Sequence, residues 1–345
     1  MRRSRHGREP LITTVLITGA SGFIGSHLSP ALLAAGLRVR GTYRTQVPQG
    51  SSLTGVEWVQ VREVDENTDW SKALDGVDYV VHLIGVAHHI GKDERELVET
   101  FRRVNVGGTS SLVRDVARSN SVKRVVFLSS AKAMGYPSAG ETPNSEYGRS
   151  KLAAEEEISR GLAGGRSDWC ILRPCLVYGP GNLGNMERLV RLIDTGIPLP
   201  LGGIRNRKSF LFVGNLISAI EKAMFAPQAS RRRFSLSDGA SLSTTDLVRN
   251  IAALRPRGVR VFPFPVRLLE LGGLVGDQVQ RLTGRSIGWD SYSVDRLCSS
   301  LEVDCTEFCA ALQWSPPYSM EQGLAITLGA ESSGVTPHTA ANPVP

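Results

Sequence analysis

The sequence predicts an α/β fold in which a doubly wound parallel sheet is followed by a smaller mixed C-terminal domain. From residue 11 onward, short runs rich in Val, Ile and Leu alternate with longer helical patterns, as they do in βαβ units. Most of these runs do not alternate apolar with polar residues, which is typical of strands buried on both faces of a parallel sheet. Both observations favour a sheet whose two faces are covered by helices.

The predicted elements follow one another in the order that such a sheet requires. The first helix is expected to end at Gly36, since glycine is common just past a helix C-terminus. The predicted strands cover 11–19, 37–43, 56–64, 78–85, 122–130 and 168–179, and the predicted helices cover 26–36, about 95–119 and a segment after residue 147.

A glycine-rich turn separates the first predicted strand from its helix. In "ITGASGFIGSHL", glycines at 19, 22 and 25 allow a tight turn and a close approach of the backbone to a pyrophosphate. The spacing is GxxGxxG rather than GxGxxG, but the strand–turn–helix context is the required one. A purely structural turn is the alternative. The pattern predicts a Rossmann-type fold with a dinucleotide held by Gly19, Ser21, Gly22, Phe23, Ile24 and Gly25.

Cofactor preference is expected at the end of the second strand, where an acidic residue would bind the ribose 2′-hydroxyl of NAD. Tyr43 and then Arg44 occupy this place, so no carboxylate repels a 2′-phosphate. Arg44, with Arg38 or Arg40, could pair with that phosphate. The sequence therefore favours NADP(H) over NAD(H), unless Arg44 is simply a solvated loop residue.

Composition shifts suggest the domain boundaries. Residues 1–10 are basic, lack the apolar core of a secretory signal and are expected to be a flexible start. Residues 11–180 form the predicted dinucleotide-binding domain, to which parts of 210–240 return. Residues 181–330 are assigned mostly to a substrate-binding domain. The polar, proline-bearing residues 331–345 are predicted to be a disordered tail.

Bulk properties exclude several function classes. With 41% hydrophobic and 21% charged residues the composition is that of a soluble globular protein, and no apolar run reaches the length of a transmembrane helix. The net charge of +7 comes without interleaved aromatic residues, so nucleic-acid binding is not expected. Five cysteines without a CxxC pair indicate reduced thiols in a cytoplasmic protein and no metal site.

Two further stretches receive a structural interpretation. The amphipathic run at 266–282 is interpreted as a core-facing or lid helix in preference to a helix on a membrane surface. His88 and His89 follow the fourth predicted strand without an evident carboxylate partner, so we interpret them as loop residues.

A tyrosine and a lysine lie one helical turn apart in "SEYGRSKLAAEEE". Tyr147 and Lys151 are at positions i and i+4 and therefore share a helix face. A free phenol has a pKa of about 10, and a nearby cation lowers it by roughly 1–3 units. The spacing is compatible with a phenol that exchanges protons near neutral pH, whereas the alternative is that both side chains point into water.

Taken with the glycine turn, several motifs resemble one enzyme family. These are "FLSSAKAMG" followed by "YGRSK", "VVHLIG", "RVNVGGT" and "LRPCLVYGPG". The chain resembles an extended short-chain dehydrogenase/reductase of the NAD-dependent epimerase/dehydratase family from Val15 to about Leu328. In that family a Ser, a Tyr and a Lys perform the chemistry, which the resemblance assigns here to Ser130, Tyr147 and Lys151.

The resemblance also implies a role for each of these groups. Tyr147 would protonate the oxygen of a keto sugar while hydride reaches its carbon, and Ser130 would orient the same oxygen. Lys151 would bind the nicotinamide ribose and lower the pKa of Tyr147. The further cofactor contacts that it implies are Glu63, Leu83, Asn105 and Pro174, together with Tyr147 and Lys151.

A narrower likeness concerns the substrate. "SSAKAMG" resembles the "SSIKVNGE" of bacterial enzymes that act at C4 of UDP-linked N-acetylated sugars, including 4-ketoreductases of the UDP-N-acetylquinovosamine type and 4-epimerases. The segments "GIRNRKSFLFVGNL" and "SLEVDCTEFCAALQWSPP" resemble their later parts. A shorter loop before Tyr147, Met134 and Gly135 in place of Asn and Gly, and Gly214 in place of Asp depart from the pattern. These departures leave the sugar open.

The sequence thus predicts an NAD(P)-dependent reductase of a 4-keto UDP-sugar for surface polysaccharide synthesis. One alternative is a UDP-sugar 4-epimerase that retains NAD, and another is an inactive cofactor-binding scaffold, which is disfavoured because Tyr147 and Lys151 are both present. Arg207 and Lys208 are predicted to bind the nucleotide diphosphate, with a solvated surface cluster as the alternative. The resemblance also implies a homodimer.

Overall fold

The computed structural model describes the protein from residue 12 to residue 329, with gaps. The predicted start and tail, as well as His88 and His89, lie outside the described residues, which are 12–48, 53–87, 94–135, 143, 145–182, 185–256, 258–284 and 289–329. The strands are β1 (Thr14–Thr18), β2 (Arg38–Tyr43), β3 (Glu57–Gln60), β4 (Tyr79–His82), β5 (Arg124–Leu128), β6 (Asp168–Pro174), β7 (Leu176–Tyr178), β8 (Lys208–Phe212), β9 (Arg232–Leu236) and β10 (Ser241–Leu242).

The helices match the helical patterns of the sequence in their order. They are α1 (Phe23–Ala34), α2 (Ser71–Leu74), α3 (Glu94–Thr100), α4 (Gly108–Arg118), α5 (Glu146–Gly161), α6 (Asn185–Asp194), α7 (Val213–Phe225), α8 (Thr244–Ala253), α9 (Val266–Thr283), α10 (Ser291–Cys298), α11 (Thr306–Leu312) and α12 (Met320–Leu328). A π-helical segment, Phe101–Gly107, joins α3 to α4, so the single long helix predicted over 95–119 is interrupted by wider turns.

Seven strands form the predicted doubly wound sheet, in the order β3-β2-β1-β4-β5-β6-β9. The ladder runs parallel from β3 through β6, and β9 completes the sheet beside β6. The predicted α/β fold class is therefore confirmed. The strand order reverses between β1 and β4, and ligands of such sheets bind at the carboxyl ends of the strands at this reversal.

The core of the large sheet explains why its strands read as continuous apolar runs. Every residue of β1 and of β5 is buried, because helices cover both faces. Leu16, Val80 and Phe127 of the sheet lie in one apolar cluster with Leu112 of α4 and Ile158 of α5. This packing fixes α5, which carries Tyr147 and Lys151, against the large sheet.

The described chain divides into two compact units. Within the described ranges, the first comprises residues of 12–174, 217–235 and 307–314, and the second comprises residues of 175–216, 236–306 and 315–329. The second unit contains a small mixed sheet in the order β10-β8-β7, in which β7 is parallel and β10 antiparallel to β8. The strand predicted over 168–179 is thus two strands, β6 and β7, that belong to different sheets.

Spanning a membrane and holding a metal ion each place a structural requirement on the described residues. None of their helices is both long enough and apolar enough to cross a membrane. Within the same residues, His, Cys, Asp and Glu side chains form no group of three or more that could hold a metal ion. The five cysteines form no disulfide there.

Candidate active site

The glycine turn lies between β1 and α1, as predicted. Gly19 has a φ of +74°, which favours glycine, and its carbonyl accepts a hydrogen bond from the Gly22 amide at 3.0 Å. A Cβ on Gly25 would lie 2.5 Å from the Gly19 oxygen and from the Cα of Ala20, so only glycine fits there. No side chain caps the first turn of α1, which leaves this helix end available to an anion.

The end of β4 lies directly beside this turn. The Leu83 amide donates to both the carbonyl and the hydroxyl oxygen of Thr18, at 3.2 Å each. A Cβ on Gly19 would lie 3.3 Å from Ile84. Leu83, predicted from the resemblance as a cofactor contact, is therefore placed at the point where the strand order reverses.

The end of β2 carries Tyr43 and Arg44, and neither position offers a carboxylate. The Tyr43 ring meets the edge of Trp58 at a centroid distance of 6.4 Å, and the Arg44 side chain is exposed. Arg40 is instead used within the fold, where it pairs with Glu57 at 3.0 Å and donates to two backbone carbonyls. Arg40 is thereby removed as a partner for a 2′-phosphate.

The two remaining predicted cofactor contacts on strand ends differ in burial. Glu63 lies three residues beyond β3 with an exposed side chain, so its carboxylate faces solvent. Pro174 is the buried last residue of β6.

The Asn105 side chain connects the loop after β4 to helix α5. Its amide oxygen accepts from the Val86 amide at 2.8 Å, and its amide nitrogen donates to the Val86 carbonyl at 3.0 Å and to the Ser150 hydroxyl at 2.9 Å. The side chain is 1% exposed and these bonds use its polar atoms. Asn105 therefore positions the loop after β4 against α5, and its contact with the cofactor stays a prediction.

The Ser130 hydroxyl acts on the Tyr147 phenol as a hydrogen-bonding group that lowers the pKa of Tyr147. Ser130 follows β5 and caps the short helical turn Ala131–Ala133, accepting from the Lys132 amide at 3.2 Å. The start of α5 packs directly on this turn, because a Cβ on Gly148 would lie 2.2 Å from the Lys132 oxygen. Gly148 thus permits the close approach that brings Tyr147 to Ser130.

Lys151 is buried beneath the loop that follows β4. Its ammonium group donates to the Leu128 carbonyl at 2.9 Å and lies 4.8 Å from the centroid of the Phe127 ring. A Cβ on Gly85 would lie 2.8 Å from the Lys151 nitrogen. Burial lowers the pKa of Lys151 from 10.5 to about 8, while the charge of Glu155 acts in the opposite direction.

The electrostatics differ from the expectation that Lys151 lowers the pKa of Tyr147. Burial raises the pKa of Tyr147 above 10.0, and the hydrogen bond from Ser130 partly offsets this rise. The Lys151 ammonium is turned toward the Leu128 carbonyl and the Phe127 ring. In this arrangement the Ser130 hydroxyl favours the phenolate of Tyr147.

The structure adds a buried ionic network that sequence reasoning missed. Glu155, one turn after Lys151 in α5, is fully buried and forms a two-pronged pair with Arg173 at 2.9 and 2.5 Å. It also accepts from the hydroxyl of Ser129, at 2.5 Å. The sequence did contain one indication of it, since Glu155 is at position i+4 from Lys151 and therefore shares its helix face. The network holds the residue before Ser130 against the helix that carries Tyr147.

His82 is a second residue whose environment the sequence did not indicate. Its two ring nitrogens lie 2.6 Å from the Thr18 hydroxyl and 3.1 Å from the Thr109 hydroxyl, and its ring stacks on Phe127. Burial, and then the charge of Lys151, lower the pKa of His82 to about 3. His82 is therefore neutral and adds no cation next to Lys151.

The predicted phosphate-binding pair lies in the second unit. The Arg207 guanidinium is exposed and donates to Glu302 at 2.6 Å. Lys208 is buried, and its ammonium donates to the carbonyls of Arg296 and Leu297 at the end of α10. Burial lowers the pKa of Lys208 to about 8. The two neighbours thus differ in their contacts, because the Lys208 ammonium is held by backbone carbonyls whereas the Arg207 guanidinium is exposed.

Two curated proteins are similar to this chain over nearly its whole length. The "UDP-glucose 4-epimerase" of Vibrio cholerae is 31% identical over 332 residues, which is 93% of this chain and 96% of the relative. The "N-acetyl-alpha-D-glucosaminyl-diphospho-ditrans,octacis-undecaprenol 4-epimerase" of Escherichia coli O157:H7 is 27% identical, with 91% of this chain and 94% of the relative covered.

A solved structure shares the fold. The "UDP-Glucuronic acid 4-epimerase from Bacillus cereus in complex with UDP-Glucuronic acid and NAD" matches 92% of this chain and 98% of its own with a TM-score of 0.68 and 19% identity. The model of the "NAD dependent epimerase/dehydratase family" matches residues 15–236. With this match and the relative from Vibrio, the chain belongs to the NAD-dependent epimerase/dehydratase family of enzymes.

Proposed function

We propose that this enzyme is a 4-epimerase of a UDP-linked sugar that retains NAD. The observation that carries the proposal is geometric: Gly148 lets the start of α5, which carries Tyr147, pack on the turn that Ser130 caps, and buried Lys151 lies one turn further along α5. Two relatives that match more than nine-tenths of this chain are named as sugar 4-epimerases. Their names support the epimerase more than the reductase that the sequence motifs favoured.

The turn after β1 fits a dinucleotide. Its close backbone approach at Gly25 leaves no room for a Cβ, and the uncapped start of α1 offers N–H groups to a pyrophosphate. When bound, a nicotinamide supplies a reversible acceptor of hydride from the sugar carbon. A Bacillus cereus relative is named as a complex with NAD, and the preference for NADP(H) finds no support among the relatives. We therefore propose NAD as the cofactor.

The chain's own residues move the proton. The Tyr147 oxygen removes the proton of the sugar 4-hydroxyl and later returns a proton to the same oxygen, so the enzyme is unchanged after one cycle. The Ser130 hydroxyl orients the sugar 4-oxygen. It also stabilises the phenolate of Tyr147 by donating a hydrogen bond to it. Lys151 is held close to Gly85 at the end of β4, where we assign it to the ribose of the cofactor. Epimerisation requires that hydride leave one face of the sugar carbon and return to the other. The keto sugar therefore rotates in the site between the removal and the return of the proton.

The diphosphate of the sugar nucleotide needs a cation, and of the predicted pair Arg207 and Lys208 we propose Arg207. Its exposed guanidinium makes an ion pair with Glu302 whose members are both solvent-accessible, so exchange of Glu302 for a phosphate costs little. Lys208 is not proposed, because its ammonium is held by two carbonyls at the end of α10.

The reductase remains the second candidate, because the end of β2 carries Tyr43 and Arg44 and no carboxylate. That feature tolerates the extra phosphate of NADP. The two functions differ in whether reducing equivalents are consumed, which makes them separable in one assay.

The experiment uses the purified protein with UDP-glucose and, separately, UDP-N-acetylglucosamine. We expect the galacto epimer to appear without net change in nicotinamide absorbance. Stoichiometric loss of NADPH with a 4-keto UDP-sugar would instead establish the reductase. Cofactor binding without turnover of any substrate would establish an inactive scaffold. A parallel reaction with N-acetylglucosamine on a polyprenyl diphosphate tests the substrate class named for the Escherichia coli relative.

A further inference from the structure

His82 lies at the centre of a buried hydrogen-bond chain in the first unit. Its Nδ1 atom is 2.6 Å from the Thr18 hydroxyl, and its Nε2 atom is 3.1 Å from the Thr109 hydroxyl. All three side chains are buried. Which ring nitrogen carries the proton therefore follows from the other hydrogen bonds that the two hydroxyls make.

The two hydroxyls give this hydrogen-bond chain one direction. The Thr109 hydroxyl donates to the Asn105 carbonyl at 2.7 Å, so the Thr109 oxygen is left to accept from His82. The Nε2 atom then carries the proton and the Nδ1 atom is bare. A bare Nδ1 accepts the proton of the Thr18 hydroxyl, whose oxygen accepts from the Leu83 amide at 3.2 Å. The donors follow one another from the Leu83 amide through Thr18, His82 and Thr109 to the Asn105 carbonyl.

A second proton on the ring would break this hydrogen-bond chain. With protons on both nitrogens the ring could not accept from Thr18, whose hydroxyl would lose this acceptor. The His82 ring also stacks on Phe127 at a centroid distance of 5.5 Å and meets Trp70 edge-on at 6.5 Å. The charge that acts on it is that of Lys151, which together with burial disfavours an imidazolium. The geometry and the surroundings thus both require a neutral ring.

The hydrogen-bond chain joins two sides of the candidate site. It begins at the two strand ends beside the glycine turn, since Thr18 is the last residue of β1 and Leu83 follows β4. At its other end, the Asn105 side chain donates to the Ser150 hydroxyl, which in turn donates to the Tyr147 carbonyl at 2.8 Å. Buried polar contacts therefore extend from the predicted dinucleotide turn to the helix that carries Tyr147.

We propose that His82, held as the Nε2–H tautomer, is a positioning residue that sets the affinity of the dinucleotide site. Each member donates in one direction, so removal of one hydroxyl leaves its neighbour without a partner. The end of β1 is then no longer held to the π-helical segment that contains Asn105. The proposal rests on the proposed function, because the glycine turn must bind a dinucleotide, but it does not depend on which sugar is the substrate.

The tautomer is tested by NMR of the purified protein with nitrogen-15 in its histidines. Long-range proton–nitrogen correlation separates a protonated ring nitrogen from a bare one. Among the six histidines, the His82 signal is the one that disappears in His82→Gln and shifts in Thr109→Ser. We expect a protonated Nε2 and a bare Nδ1 without change from about pH 5 to 8, where an ordinary histidine titrates. A protonated Nδ1, or a ring that gains a proton in this range, would overturn the proposal.

The positioning role is tested by NAD titration of Thr109 variants. Thr109→Val keeps the shape of the side chain but removes the hydroxyl, so the Kd of NAD should rise roughly three- to tenfold. Thr109→Ser keeps the hydroxyl and should bind NAD as the wild type does. An effect of packing alone would give the opposite order, since valine retains the methyl group that serine lacks.

Thr327→Val is the matched control, because the Thr327 hydroxyl likewise donates to the carbonyl four residues earlier, that of Gly323 in α12. It should leave the Kd unchanged, and thermal unfolding should show that every variant is folded at the assay temperature. If the wild type binds NAD and Thr109→Val binds it equally well, this proposal fails while the proposed function stands. If the wild type binds neither NAD nor NADP, both fail together.

Discussion

Tyr147 and Lys151 lie one turn apart on α5, and their different surroundings matter more than their spacing. Tyr147 is hydrogen-bonded to Ser130, whereas Lys151 is held by the Leu128 carbonyl and the Phe127 ring. The sequence indicated that the two side chains share a helix face. It could not indicate which group tunes the phenol, because that depends on how closely Gly148 lets α5 approach the end of β5.

Removing the phenol hydroxyl tests the proton-transfer role. We expect Tyr147→Phe to lose about 10²- to 10⁴-fold in kcat, since oriented proton transfer contributes about this much. NAD affinity should be nearly unchanged, because the glycine turn is untouched. Turnover measured together with NAD titration separates the two effects. A variant with wild-type kcat would remove Tyr147 from the mechanism.

Burial of Lys151 predicts a specific pH dependence of stability. Its folded pKa is about 8 and its usual value is 10.5, so between these values the unfolded chain binds the proton and the folded chain does not. The free energy of unfolding should therefore rise with pH across this window, by up to about 3 kcal/mol from this group. Below the window, burial of the charged form lowers stability by the same amount.

The measurement is urea denaturation of the cofactor-free protein at pH values on both sides of that window, for the wild type and for Lys151→Met. The variant lacks the titrating group, so its stability should rise less with pH. Equal pH slopes for the two proteins would show that Lys151 keeps an ordinary pKa in the folded state.

At the scale of elements, α5 organises the candidate site because one of its faces carries three polar side chains in successive turns. Its first turn carries Tyr147, and its next turns bury Lys151 and Glu155. The central strands and α5 could be predicted because apolar runs and helical spacing are local signals. The Glu155–Arg173 pair could not be predicted, because its members lie on α5 and β6 and meet only after folding.

The buried pair leads to a prediction on stability. Glu155→Gln leaves Arg173, and Arg233 at 3.4 Å, without the carboxylate that balances them. We expect a loss of about 3–5 kcal/mol in the free energy of unfolding, as when one partner of a buried ion pair is removed. Urea denaturation near neutral pH measures it.

Glu157→Gln on the same helix is the matched control. Its partner Arg160 is 71% exposed, so this pair should contribute less than about 1 kcal/mol. Similar losses for the two variants would contradict a special role of the buried network around Glu155.

At the scale of the whole molecule, the topology of the large sheet was predictable and that of the second unit was not. The strand order follows from regular alternation of strands and helices, which leaves few possible connections. In the second unit, the regular alternation of strands and helices gives way to short strands and to contacts that depend on glycine. Lys208 illustrates the difference: beside Arg207 in a basic cluster it suggests a phosphate site, whereas in the fold its ammonium caps α10. The leucines of α9 are another example: the expectation of a core-facing helix is wrong for most of them, since helical spacing alone does not show which face is buried, and Leu268, Leu271, Leu274 and Leu282 are exposed.

Cofactor binding should be visible as a change in the stability of the whole chain. A ligand that binds the folded state alone, at 100 times its Kd, stabilises it by about 2.7 kcal/mol, which corresponds to a Tm rise of a few degrees. We expect NAD to raise Tm at lower concentration than NADP, as measured by thermal unfolding with each nucleotide. Tyr43→Asp should widen this difference, because a carboxylate at the end of β2 binds the ribose hydroxyls and repels a 2′-phosphate. If NADP gave the larger shift for the wild type, Arg44 would be its phosphate partner and the reductase would become the better assignment.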